Sequence, residues 1–109
     1  MFRYLLIIDI KEITMIKLWA NVETAKAEKY QTVMTRHFQR KVEVIWNENE
    51  ACVYFPTGIG YLTVTDNLLQ IRCESETEEK LKIVQSVLES HFHQFTHREN
   101  LALEWHTLK

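Results

Sequence analysis

Five histidines in 109 residues are the side chains best suited to chemistry near neutral pH. Four of them fall in two stretches whose apolar residues recur at helical spacing. In the first, Tyr30, Val33, Met34, His37 and Phe38 form one stripe. In the second, Leu81, Val84, Leu88, Phe92 and Phe95 define the apolar face, and His91 falls inside its arc. His93 and His97 fall on the opposite side. Phase therefore separates two inward histidines, His37 and His91, from two outward ones. The outward pair is spaced i, i+4 and could clamp a transition metal, but it lacks the HExxH glutamate and a third protein ligand. It reads as a surface coincidence, so no metal site and no cofactor are assigned. His106 adds no pattern.

The inward pair has two readings. An imidazole on a packed face must be hydrogen-bonded, because a stranded buried donor or acceptor costs about 1–3 kcal/mol. Each ring could therefore be structural, paired with a carbonyl or a neighbour. Alternatively the two helices lie side by side and their histidines face a common pocket, where they could hold an iron or haem ligand, or bind an anion when protonated. Lys41, one turn after His37, points the same way and could pair with Glu99 or help hold an anion. As a snorkelling lysine at a helix end it would need neither role. Arg98, beside Glu99 at the end of the second helical stretch, is also favoured there by the helix dipole alone.

Catalytic patterns are not found. No Ser, Cys or Thr sits in a recognisable nucleophile elbow, and no Gly-rich phosphate loop follows a strand. Gly58-Ile59-Gly60 is too short for a dinucleotide fingerprint, and the reading leans away from an enzyme. Cys52 and Cys73 stand in apolar or alternating runs without metal-ligand spacing. They read as small buried hydrophobes in a reducing cytoplasm, with a single bridge as the alternative. A net charge of −2 with both signs interspersed argues against a nucleic-acid partner, which needs a concentrated basic surface. No stretch approaches the ~20 apolar residues that span a membrane.

The elements that must position these residues follow from periodicity. Ile16 to Val22 alternates as a half-buried strand, with Trp19 on the face opposite Leu18 and Ala20, and Thr24 is the expected N-cap of the first helix. Val42 to Trp46 and Ala51 to Phe55 flank a turn at residues 47–50. Pro56 ends that pair, and Thr57 to Gly60 is expected to form the next turn. Tyr61 to Thr65 and Leu68 to Cys73 make a second hairpin through Asp66-Asn67. Ser75 with Glu78, or Thr77 alone, caps a helix running to about His97. Leu101 to Trp105 is expected to close the chain as a strand. The order β-α-β-β-β-β-α-β implies an α+β domain with a single antiparallel sheet and both helices packed on one face. Glu23-Thr24 and Glu76-Thr77, followed by two His-Phe pairs and two Trp-ended strands, suggest pseudo-twofold halves. Residues 15–109 read as one domain, with 1–14 an N-terminal extension or an extra strand.

Arg36-His37-Phe38 with Lys41, Phe55-Pro56-Thr57-Gly58 with Leu62, and His91 with Phe95 and Arg98-Glu99 give the chain a family likeness. From Ala20 to Trp105 it resembles the small bacterial proteins grouped as domain of unknown function 2218. The family begins near Met15, which favours an extension over residues 1–14. Gln94 stands where the family pattern has a basic residue, so an anion site using that position is in doubt. The resemblance implies no activity. It implies an accessory role in iron and siderophore handling, with an anionic small ligand or an iron-uptake partner protein, and His37, Lys41, His91, Arg98 and Glu99 as the residues to hold the ligand. The competing expectation is a structural domain that associates with itself, as a homodimer, and takes no small ligand.

Overall fold

The computed structural model of the chain describes residues 15–108. Residues 1–14, where an extension or extra strand is expected, lie outside them. The elements are β1 (Ile16–Glu23), α1 (Ala27–Gln39), β2 (Glu43–Trp46), β3 (Glu50–Phe55), β4 (Gly58–Thr65), β5 (Leu68–Ser75), α2 (Glu78–Thr96) and β6 (His106–Leu108). The strands form one sheet in the order β2-β3-β4-β5-β1-β6, and every neighbouring pair is antiparallel. Both helices cover one face, so the fold is the expected α+β arrangement. No helix among the described residues is long and apolar enough to cross a membrane.

Strict alternation decides which face the helices cover. Along β5 every second residue, Leu69, Ile71, Cys73 and Ser75, is buried. Ala20 and Val22 from β1, Ala51 and Val53 from β3 and Leu62 from β4 join them in the core. The helices answer with Met34 and Phe38 from α1 and Val84, Leu88 and Phe92 from α2. Each large side chain buried there contributes about 1.5–3 kcal/mol relative to exposure. Gln31, also buried, ties α1 to the sheet by donating from Nε2 to the carbonyls of Leu62 (2.8 Å) and Asn49 (2.9 Å).

Three local expectations are corrected. Gly58 and Gly60 lie inside β4 rather than in a turn, and neither has a positive φ. They serve close approach: a Cβ on Gly58 would drive into the carbonyl oxygen of Glu74 and sit 3.0 Å from Val84, and one on Gly60 would sit 3.1 Å from the Phe55 ring and 3.3 Å from Leu88. Second, Thr24 does not cap α1, whose N-cap is Lys26 without a side-chain bond. The Thr24 hydroxyl accepts instead from the N–H of Lys26, two residues on (3.1 Å), while Thr77 caps α2 by accepting from Lys80 N–H (3.1 Å). Third, Leu101 to Trp105 alternates but pairs with no strand. Leu101, Leu103 and Trp105 pack on the core, and the Trp105 indole donates to Glu89 of α2 (2.7 Å). Ladder pairing with β1 begins at His106.

The sheet face away from the helices has its own order. Register places Ile45, Cys52, Tyr61, Arg72, Trp19 and His106 opposite one another in succession, one row across all six strands. The Arg72 guanidinium lies 4.5 Å over the Tyr61 ring and pairs with Glu50 at 2.6 Å. Glu50 also accepts from Thr63 (2.8 Å), Tyr61 donates to Glu74, and the Trp19 and His106 rings stack at 4.6 Å.

Candidate functional site

The two helices run in opposite directions, so the C-terminal end of α1 meets the middle of α2. There the His37 and His91 rings stand 4.7 Å apart between centroids. Phe38 lies 4.8 Å from His91, Phe55 meets Phe38 edge-on at 5.2 Å, and Phe95 meets His37 edge-on at 5.8 Å. Both imidazoles therefore occupy an aromatic surround and are half-buried. They also line the same cavity, of about 230 Å³, together with Lys41 and with Phe38, Val42, Phe55 and Val87. Lys41 reaches its lip because the chain turns tightly after α1: Lys41 and Val42 both donate their N–H to the Phe38 carbonyl at 3.0 Å.

The two rings are prepared differently. His91 places Nδ1 2.7 Å from the Val87 carbonyl one turn back, so that nitrogen is the donor and Nε2 is left for a ligand. Burial holds the His37 imidazole below its ordinary value, helped by repulsion from His91, Arg40 and Lys41. Every field named there opposes protonation, and no carboxylate is among them. Two imidazoles and the Lys41 ammonium thus surround an apolar floor in a chain of net charge −2. The Lys41 ammonium and a ring N–H of His37 can donate hydrogen bonds to an anion, whereas His91, with Nδ1 donating to Val87, can donate through Nε2 only as an imidazolium. Among the described residues no three His, Cys, Asp or Glu side chains come together as a metal-ligand set.

The remaining expected residues lie elsewhere. Glu99 is one end of a clasp near the start of α1, accepting from the Tyr30 hydroxyl (2.7 Å) and the Thr24 hydroxyl (3.0 Å), with the Lys26 ammonium at 4.0 Å. It does not pair with Lys41. Burial first, and Glu99 second, push the Tyr30 phenol up to about 12. Arg98 is exposed. His93 and His97 are exposed as helical phase requires, and His97 bonds the Gln94 carbonyl. Sequence periodicity missed the cavity floor, because Val42, Phe55 and Val87 come from the turn before β2, from β3 and from α2. The only sign of Phe55 was its place in the Phe55-Pro56-Thr57-Gly58 run. Both cysteines are free thiols. Burial raises both, Cys73 to about 12, which makes either a poor nucleophile.

With this geometry in view, comparison with known proteins places the chain. Residues 19–106 match the family described as "Uncharacterized protein conserved in bacteria (DUF2218)". The chain belongs to that family. All the residues of the DUF2218 cavity, from His37 to His91, lie within the matched span. Among solved structures the chain is similar to PA4090 from Pseudomonas aeruginosa, determined by NMR, with 21% sequence identity and a TM-score of 0.70. The match covers 84% of this chain and 95% of that one, and at this identity it speaks for the fold alone. No curated protein matches the chain.

Proposed function

We propose that this DUF2218 chain is a small accessory module that binds an anionic ligand in the cavity between α1 and α2. The observation that carries the reading is the convergence of His37, His91 and Lys41 on one apolar-floored cavity, with no carboxylate among the groups that act on His37. Arg98 and Glu99 are not needed for it. The narrower reading, a part in iron and siderophore handling with an iron-uptake protein as partner, rests on the family resemblance alone. A cavity of about 230 Å³ is below the usual 300–1,000 Å³ of drug-sized sites, so it would take one carboxylate arm of a siderophore rather than the whole chelate. Two free thiols fit a reducing compartment, the cytoplasm. Titration with acetate as the minimal anion tests the reading. The ring resonances of His37 and His91 should shift together, and Lys41→Gln, at an exposed position, should weaken the response. Rings that stay silent to every anion would leave the two histidines as packing residues.

A second reading, self-association, is favoured by the row that crosses the uncovered sheet face. Its central charge is neutralised internally by the Arg72–Glu50 pair, and Ile45 at its end is 46% exposed. Strands of eight, four, six, eight, eight and three residues at ~3.3 Å per residue and ~4.8 Å spacing offer on the order of 600 Å², somewhat below the ~800 Å² per partner of a standard interface. Sedimentation across a concentration series separates the two readings, since ligand binding requires no dimer.

A further inference from the structure

The mixed lining of the cavity speaks to ligand class. Its polar groups are His37 and His91, whose rings stand 4.7 Å apart, and Lys41, and the rest of the lining is Phe38, Val42, Phe55 and Val87. A multiply charged, fully hydrated anion such as phosphate would meet apolar wall on most sides and lose hydration without replacement bonds. A carboxylate on a compact hydrocarbon body matches both halves. Its two oxygens can accept from the Lys41 ammonium and a His37 ring N–H, with His91 adding an Nε2 donor when it takes up a proton, and its body replaces water against the aromatic floor. Size agrees: an apolar cavity of about 150 Å³ takes a benzene ring, and this one measures about 230 Å³. The aromatic edges around it also suit a ring, since Phe38 presents itself edge-on to Phe55 at 5.2 Å.

We propose that the ligand is a monocarboxylate with a compact aromatic or short aliphatic body, the carboxylate set among His37, His91 and Lys41 and the body against Phe38, Phe55 and Val87. This rests on the anion-binding reading and narrows it to one chemical class. It predicts an affinity order in which hydrocarbon surface matters as much as charge. Lengthening a linear carboxylate from butyrate to hexanoate should tighten binding by about fourfold per methylene until the cavity is full. Lys41→Gln should weaken benzoate while leaving uncharged benzyl alcohol unchanged.

The experiment is a calorimetric and NMR titration of the full chain with benzoate, butyrate, hexanoate and inorganic phosphate, observing the His37 and His91 rings. Benzoate and hexanoate binding at least tenfold tighter than phosphate, with both rings responding, supports the assignment. Phosphate binding as tightly as benzoate, or no gain from butyrate to hexanoate, overturns the carboxylate class and leaves an anion site standing. If no anion moves either ring, the assignment and the anion-binding reading fall together.

Discussion

His37 and His91, on different helices, stand with their rings 4.7 Å apart, and only one of them has a hydrogen bond to the backbone. His91 is fixed by the Val87 carbonyl. His37 is held by packing alone, against His91, Phe38 and Phe95. The pair is thus one imidazole oriented by the backbone and one held by its ring neighbours.

The pH dependence of stability should report His37 directly. Its folded value is lowered from the ordinary 6.5, first by burial and then by His91, Arg40 and Lys41. Below about pH 6.5 the unfolded chain therefore binds the extra proton, and stability falls as pH falls, until folded His37 protonates in its turn. The loss in melting temperature between pH 7.5 and pH 5.5 should be smaller in His37→Asn than in the wild type. Equal losses would mean that His37 titrates as it does in the unfolded chain. By the same linkage, an anion that offsets the fields of His91, Arg40 and Lys41 should bind more tightly at pH 6 than at pH 8.

The two glycines of β4 should respond unequally to alanine. At Gly58 the new methyl meets backbone, the Glu74 carbonyl, which cannot turn aside. At Gly60 it meets the Phe55 and Leu88 side chains, which can. Overpacking of this kind costs about 1–3 kcal/mol, with Gly58→Ala at the upper end or beyond and Gly60→Ala at the lower. Urea midpoints give the order. Gly60→Ala should also weaken benzoate, because it displaces the ring that floors the cavity.

At high pH the Glu99 clasp should set the limit. Tyr30 ionises near 10 in the unfolded chain and is pushed up to about 12 in the folded one. The stability tied to that difference is whole below pH 10 and is lost between 10 and 12. Glu99→Gln removes the second cause and leaves burial, so the tyrosinate absorbance of Tyr30, taken as the difference from Tyr30→Phe, should move down without reaching 10. Glu99 itself is lowered chiefly by the Tyr30 hydrogen bond. It therefore contributes stability above its unfolded value of about 4.5 that is lost as pH falls through the folded one.

If the uncovered sheet face joins two copies, Ile45→Lys should abolish the dimer while leaving the melting temperature of the monomer within a few degrees. The residue is 46% exposed in the single chain, so the substitution touches no core. Sedimentation equilibrium of wild type and variant at matched concentration decides it.

Much of this architecture was legible in residue spacing. Alternation in β1 and β5 and the stripes of α1 and α2 gave the elements, the covered face, and the inward turn of His37 and His91, because each of those signals is periodic and local. The errors fell where the determining contact is remote. Gly58 and Gly60 read as a turn because the residues that demand their bareness, Glu74, Val84 and Leu88, lie on neighbouring elements. Leu101 to Trp105 alternates like a strand because it too has a buried side, but its polar anchor is Glu89 on α2. Glu99 looked available to Lys41 only because its partners Thr24 and Tyr30 lie at the far end of the sequence. The cross-strand row from Ile45 to His106 has no sequence signature at all, since it exists only through register.

The Glu99 clasp has a mechanical side. It fastens the end of α2 to the start of α1, whereas the histidines lie toward the opposite end of α1, where the rings meet by packing without a cross-helix hydrogen bond. Parting the helices at the clasped end would break the Tyr30 and Thr24 hydrogen bonds to Glu99, whereas parting them at His37 and His91 would cost ring packing alone.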